Sequence, residues 1–180
     1  CCYMRCPVRG NQEGGVRVSK NILVVYKKNF EDVHDDALDI VKNTLEKMSE
    51  DLDINVNYSA REKVSREDFI ERDLVVVLGG DGTLTSIAHS VDENTPVMGV
   101  NSHPRDMDND GSYGFYMGSD PINFKEDIQK ALSNNAIINI LPRLQAEIST
   151  TSGNIIRSDP ALNDLLLANT HQYQPSKYKL

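Results

Sequence analysis

The chain has 180 residues, a formal net charge of -8, 39% hydrophobic and 26% charged residues. That length suffices for one well-buried core plus a smaller unit, and the composition is that of a globular protein. The acidic balance excludes nucleic acid and an anionic membrane as main partners, and no apolar run approaches a membrane span.

Cys1, Cys2 and Cys6 are the only cysteines. An odd count crowded at the extreme N-terminus offers no disulfide framework and points to a reducing, cytoplasmic location. With no second pair or His nearby, a zinc site is not expected, and no metal ligand is assigned. Residues 1–20 carry Arg5, Arg9, Arg17 and Lys20 against Glu13, without apolar periodicity. They are too poorly apolar for a secretory signal and are expected to form a disordered basic tail.

An α/β unit is expected over 21–142. Ile22 to Tyr26 reads as a first short strand, followed by Lys27, Lys28 and Asn29 at the end where open α/β sheets place their ligands; solvated loop lysines are the plainer alternative. Asp35 or Asp36 is suited to cap a helix with Ala37, Leu38, Val41, Leu45 and Met48 on one face. Ile54, Val56 and Tyr58 alternate like a half-buried strand, and Ser65 with Asp68 resembles a capping box before Phe69 and Ile70.

The central stretch, residues 74–85, reads Leu-Val-Val-Val-Leu-Gly-Gly-Asp-Gly-Thr-Leu-Thr. Leu74 to Leu78 has the length and β-branched content of a buried strand. It runs into a glycine turn, and behind it Leu84, Ile87, Ala88 and Val91 share one helix face. Backbone N–H groups at such a turn can receive phosphate oxygens, and glycines let a ligand approach closely. A carboxylate there, Asp81, is repelled by phosphate unless it binds a metal or takes a proton from a reacting hydroxyl. A strand–helix turn with no ligand is the bland alternative.

Pro96 to Val100 reads as a fourth strand ending in Asn101. The loop after it holds Asp106, Asp108, Asp110 and Gly111, like the opening of an EF-hand calcium loop. Met117 stands where a bidentate Glu belongs, so a solvated acidic loop is the expectation. A helix is expected from Pro121, with Phe124, Ile128, Ala131 and Leu132 inward. Beyond a boundary near Pro142, Leu144, Ala146 and Ile148 alternate, and Thr151-Ser152-Gly153-Asn154 reads as a hairpin turn before Ile155-Ile156. Ser176 to Leu180 looks like half a strand. The order of elements predicts a parallel, doubly wound sheet, followed over 143–180 by the start of a truncated β-rich domain.

Gly79-Gly80-Asp81-Gly82-Thr83 after an apolar strand resembles the signature of the ATP-NAD kinases. Similar turns occur in lipid kinases of the diacylglycerol type and, with Ser for Thr, in phosphofructokinases. Gly99-Val100-Asn101 matches a second motif of the ATP-NAD kinases, at their substrate cleft. The loop that follows is longer than usual for the family, with Gly114-Phe115 at its end, and Gly-Val-Asn-Ser then Pro resembles the NADH-kinase branch. Ala161-Leu162-Asn163-Asp164 matches the Ala-Leu-Asn-Glu/Asp motif that binds the dinucleotide. Alone, that stretch reads as a turn or helix cap. Lipid kinases typically carry Asn-Glu soon after the glycine turn, where this chain has Leu84, Thr85 and Ser86.

The resemblance covers roughly 21–180 and implies an enzyme that phosphorylates the adenosine 2′-hydroxyl of NAD or NADH, with ATP and magnesium, and that forms a homo-oligomer at full length. Asp81 is implied as the group that accepts or orients the hydroxyl proton. Gly79, Gly80, Gly82 and Thr83 would hold nucleotide phosphates. Asn163 and Asp164 would bind the dinucleotide, and Asn101 would line the cleft. His89 and His103 flank the cleft by position and read as structural or exposed. Because the family's β domain is much longer, the 180-residue chain is expected to be inactive. A lipid kinase and an inactive dinucleotide-binding fragment are the alternatives.

Overall fold

A computed structural model describes residues 19–28, 32–105, 110–169, 171 and 173–175. Four parallel strands form one sheet: β1 (Lys20–Tyr26), β2 (Ile54–Ala60), β3 (Leu74–Gly79) and β4 (Val97–Asn101), in the order β2-β1-β3-β4. Both neighbours of β1 are parallel to it, with Ile22 opposite Val56 on one side and Leu74 on the other. The chain leaves β1 toward one edge and returns past it to β3, so the direction of winding reverses between β1 and β3. In open α/β sheets ligands bind beyond the carboxyl ends of strands at such a switch point. The glycine turn stands at the carboxyl end of β3, beside it.

The period of two along β1 and β3 builds both faces. Ile22, Val24, Leu74 and Val76 point to one face, where α1 (Asp32–Asp51) and α3 (Phe124–Leu132) cover them with Val41, Leu45, Phe124 and Ile128. Leu23, Val25, Val75 and Val77 point to the other, under Phe69, Leu84, Ile87 and Val91. Layers on both faces of a parallel sheet are the expected doubly wound arrangement. β2, an edge strand, alternates half-buried Ile54, Val56 and Tyr58 with exposed Asn55 and Asn57.

Local details differ from expectation in four places. The helix after the glycine turn, α2 (Asp81–Ile87), ends before Val91, which packs with Leu84 and Ile87 from the turn that follows. α1 begins at Asp32 rather than after Asp35 or Asp36; nothing between those positions breaks a helix, and acidic side chains favour its first turns. α3 begins at Phe124, because Asp120 accepts the N–H groups of Ile122 and Asn123 at 2.9 Å and holds Pro121 to Asn123 in a turn. The strand expected from Leu144 is reduced to β5 (Glu147–Ser149), which pairs antiparallel with β6 (Ile155–Arg157), while Leu144 forms a lone bridge to Ala161. The capping box is present as drawn, with the Asp68 carboxylate accepting the Ser65 N–H at 2.7 Å before a short 3-10 helix, Arg66–Phe69. The expectations for residues 1–18, Asn29, Asp106, Asp108 and Ser176–Leu180 lie outside the described residues.

Candidate active site

The turn after β3 is shaped by close packing. An added Cβ on Gly79 would stand 2.4 Å from Thr83 Oγ1 and 2.9 Å from Thr83 Cβ, so only glycine lets this strand end sit against the first turn of α2 (Asp81–Ile87). Thr83 is 2% exposed and its N–H donates to Gly80 O at 2.9 Å. Gly79 and Thr83 are thus the inner surface of the turn. Gly80 and Gly82 are its outer surface: an added Cβ would meet only Ser112 Oγ at 3.8 Å from Gly80, and nothing within 4 Å from Gly82. The first N–H groups of a helix have no partner within it, so this outer surface offers donors to a ligand.

Asp81 is held from the far side of the cleft. Its Oδ2 accepts the N–H of Phe115 at 2.8 Å and its Oδ1 accepts the N–H of Tyr116 at 2.7 Å. Each carboxylate oxygen has a second lone pair, so the group stays able to accept one further hydrogen bond while both torsions are pinned. Gly114, at φ +63, bends the chain that presents those two N–H groups. Phe115 itself stands 85% exposed beside the carboxylate.

Asn101, 5% exposed, closes the base of the same loop. Its Nδ2 donates to Ser112 O at 2.9 Å, and its Oδ1 accepts the His103 N–H and the Ser112 hydroxyl, each at 3.2 Å. Its neighbour Ser102 donates its N–H to Gly79 O at 3.0 Å, and Asn101 N donates to Ser119 O at 2.8 Å along the outer edge of β4. Gly79, Asp81 and Asn101 are therefore brought together around one loop, residues 102–119. As placed, the Asn101 side chain is a buckle within the cleft wall.

Asn163 and Asp164 lie across a separate groove, about 310 Å³ in volume, from Thr85, Ser86 and His89 on the outer side of α2 and the turn after it. The residues lining it do not include Asp81 or Asn101. Asn163 Nδ2 donates to Asp164 Oδ2 at 2.8 Å, and both side chains are exposed. Besides an exposed ion pair between Arg66 and Asp159 at 3.6 Å, two contacts hold this segment to the α/β core. Leu162 packs on the cluster that contains Leu84, Ile87 and Val91. Arg143 Nη1 donates to Ala88 O, at the cap of α2, at 2.7 Å and to Val91 O, in the turn beyond it, at 2.9 Å.

Sequence reasoning missed Arg143, the backbone of Phe115 and Tyr116, and the wall formed by Thr85 and Ser86; His89, expected beside the cleft and structural or exposed, is exposed on that wall. Backbone partners leave no trace in side-chain identity, whereas Arg143, a lone cation after the apolar run Ile137–Leu141, was a visible signal. Lys27 and Lys28 stand at the carboxyl end of β1; Lys28 is exposed, and its charge helps hold the Glu62 carboxyl below its ordinary range, behind the larger effects of a backbone hydrogen bond and Arg61. Among the described residues no three His, Cys, Asp or Glu side chains are grouped to hold a metal.

Comparison with known proteins adds four findings. The family model for the ATP-NAD kinase N-terminal domain matches residues 18–136. The chain is similar to an NAD kinase of Pseudomonas fluorescens (strain SBW25), 33% identical over 96 residues, covering 53% of this chain and 29% of that protein. It is also similar to a probable NADH kinase of Oryza sativa subsp. japonica, 25% identical over 164 residues, covering 86% of this chain and 48% of that protein. The crystal structure of yeast NADH kinase complexed with NADH shares the fold at a TM-score of 0.53 and 20% identity, over 81% of this chain and 47% of that one. The chain spans less than half the length of each of these three proteins.

Proposed function

Since this chain belongs to the ATP-NAD kinase family through its N-terminal domain, we propose that the whole protein transfers the γ-phosphoryl group of ATP to the adenosine 2′-hydroxyl of NAD or NADH, giving NADP or NADPH. Membership sets the lipid-kinase alternative aside. The observation that carries the reading is the shared use of α2. The glycine turn with Asp81 lies at its start, and the Asn163–Asp164 segment, distant in sequence, faces its outer side across a groove.

The residues divide the work as follows. The exposed backbone of Gly80 and Gly82 receives nucleotide phosphates, while Gly79 and Thr83 keep the turn in shape. Asp81, fixed by two backbone N–H groups, orients the 2′-hydroxyl and takes its proton as the hydroxyl oxygen bonds to the γ-phosphorus and the bond to ADP breaks. Asn163 and Asp164 hydrogen-bond the dinucleotide, and Asn101 keeps the loop that carries Phe115 and Tyr116 in place. Magnesium would supply charge neutralisation on the ATP phosphates, held in its usual mode by one or two carboxylates and the substrate phosphates. No helix among the described residues is long and apolar enough to cross a membrane. A cytoplasmic location and a homo-oligomeric assembly belong to the same proposal.

The test is turnover of NAD and NADH by the intact protein and its Asp81→Asn variant, with dinucleotide binding measured in parallel. A loss of about 10²–10⁴-fold in turnover is expected from removing a general base. An amide accepts through one oxygen only, so the variant also leaves one of the two loop N–H groups facing a donor. Melting temperature is therefore recorded, and the loss counts only where binding persists. Turnover within a few-fold of the unsubstituted protein would overturn the role of Asp81.

A further inference from the structure

The groove beside α2 has a charge distribution that constrains how a ligand lies in it. At about 310 Å³ it sits at the lower end of the roughly 300–1,000 Å³ typical of small-molecule sites. It accommodates a nucleoside portion of a dinucleotide, and the diphosphate bridge must then run along its rim. On the 159–164 wall the charged groups are two carboxylates, Asp159 and Asp164. Asp159 is 3.6 Å from Arg66 in an exposed pair, and Asp164 accepts the Asn163 amide. That wall attracts hydroxyl donors and repels phosphate.

On the opposite wall stand the Thr85 and Ser86 hydroxyls and His89, the one lining side chain that is able to carry positive charge. His89 is exposed and has no hydrogen-bonding or ionic partner among the described residues. Its ring presents an N–H donor whether neutral or charged. The Ser86 hydroxyl, by contrast, already donates to Thr83 O at 2.8 Å.

Resting on the reading of this groove as the dinucleotide site, we infer that His89 is a substrate-binding residue that contacts the diphosphate bridge, with the hydroxyls of the nicotinamide ribose turned toward Asn163 and Asp164 and the adenosine left outside the groove for Asp81. An anion and a donor-rich sugar sort themselves between the two walls by charge, so His89 sets the direction in which the dinucleotide enters.

The experiment compares two ligands on the intact protein: NADH, followed by its own fluorescence, and nicotinamide riboside, followed by displacement of NADH. His89→Leu is expected to weaken NADH about tenfold, the lower end for a charge-assisted hydrogen bond, and to leave nicotinamide riboside within twofold. His89→Lys is expected to restore NADH affinity, and that rescue should fade with added salt. The Asn163→Ala, Asp164→Ala double variant is expected to weaken both ligands. Equal effects of His89→Leu on both ligands, no effect on either, no rescue by Lys, or no displacement by nicotinamide riboside from the unsubstituted protein would each overturn the assignment of His89. If the double variant binds both ligands normally, the groove reading fails and the assignment falls with it.

Discussion

At Gly79 one added carbon separates the structural demands of the turn from its chemical ones. Gly79→Ala drives a Cβ into Thr83, and overpacking of that kind costs about 1–3 kcal/mol. Gly82→Ala meets nothing within 4 Å and should change stability by less than about 0.5 kcal/mol, while placing a methyl at the proposed phosphate contact. Denaturant melts and ATP titrations on the two variants should therefore give opposite patterns: lost stability in the first, a raised KM for ATP with normal stability in the second. A stable Gly79→Ala protein would show that the turn relaxes around Thr83. Tyr58 makes a second prediction. Its hydroxyl is buried without a hydrogen-bond partner among the described residues. Its pKa is raised, first by burial and then by the charge of Glu46. The folded state thus holds the phenol proton more tightly than the unfolded chain. The associated stability is complete below the ordinary phenol value and is lost as pH climbs through the raised one. Tyr58→Phe should stabilise the protein by about 1 kcal/mol near neutrality and flatten its decline in alkaline melts. An unchanged alkaline limb would mean that the hydroxyl has water access.

At the scale of elements, the second segment depends on Arg143. Its guanidinium serves one carbonyl at the cap of α2 and one in the turn beyond it, so Arg143→Ala leaves Ala88 O and Val91 O, on buried residues, without that donor. The cost should be about 1–3 kcal/mol, felt as a widened groove: KM for NAD(H) rises while kcat changes little. A fall in kcat with KM unchanged would place Arg143 in the chemistry instead. The same elements show what could be read in advance. Leu74–Leu78 and Ile22–Tyr26 were legible because burial on both faces demands an unbroken apolar run, and the structure places them at the centre of the sheet. The turn Thr151–Asn154 was legible from its small polar residues, and Thr150 N does bond Asn154 O at 2.8 Å. The extent of β5 was not, because alternation at Leu144, Ala146 and Ile148 reports a tendency, whereas pairing depends on a partner strand. Asp81 stood out as a carboxylate among glycines, but its grip on Phe115 and Tyr116 runs through backbone N–H groups that every residue but proline possesses.

Over the whole molecule, burial is distributed unevenly. The sheet and its helices bury their apolar side chains, whereas Ile137, Ile138, Ile140, Leu144, Ile148, Ile156 and Leu166 stand exposed, Ile137 at 93% and Leu166 at 91%. A polypeptide of these 180 residues is accordingly expected to be cut early by protease within 143–180, or to associate through that surface, while 21–141 resists. Equal resistance of both parts in a monomer, read by mass spectrometry of the fragments, would contradict the boundary near Pro142. The long loop after β4 has a different consequence. Its foot is fastened by Asn101 and by the Asp81 carboxylate. Its neck is closed where Arg105 N meets Ser112 O at 3.0 Å and Ser112 N meets His103 O at 2.9 Å. The two ends of the loop are thus tied twice, at neck and at foot, so a disturbance of one tie is borne by the other before it reaches the Asp81 carboxylate.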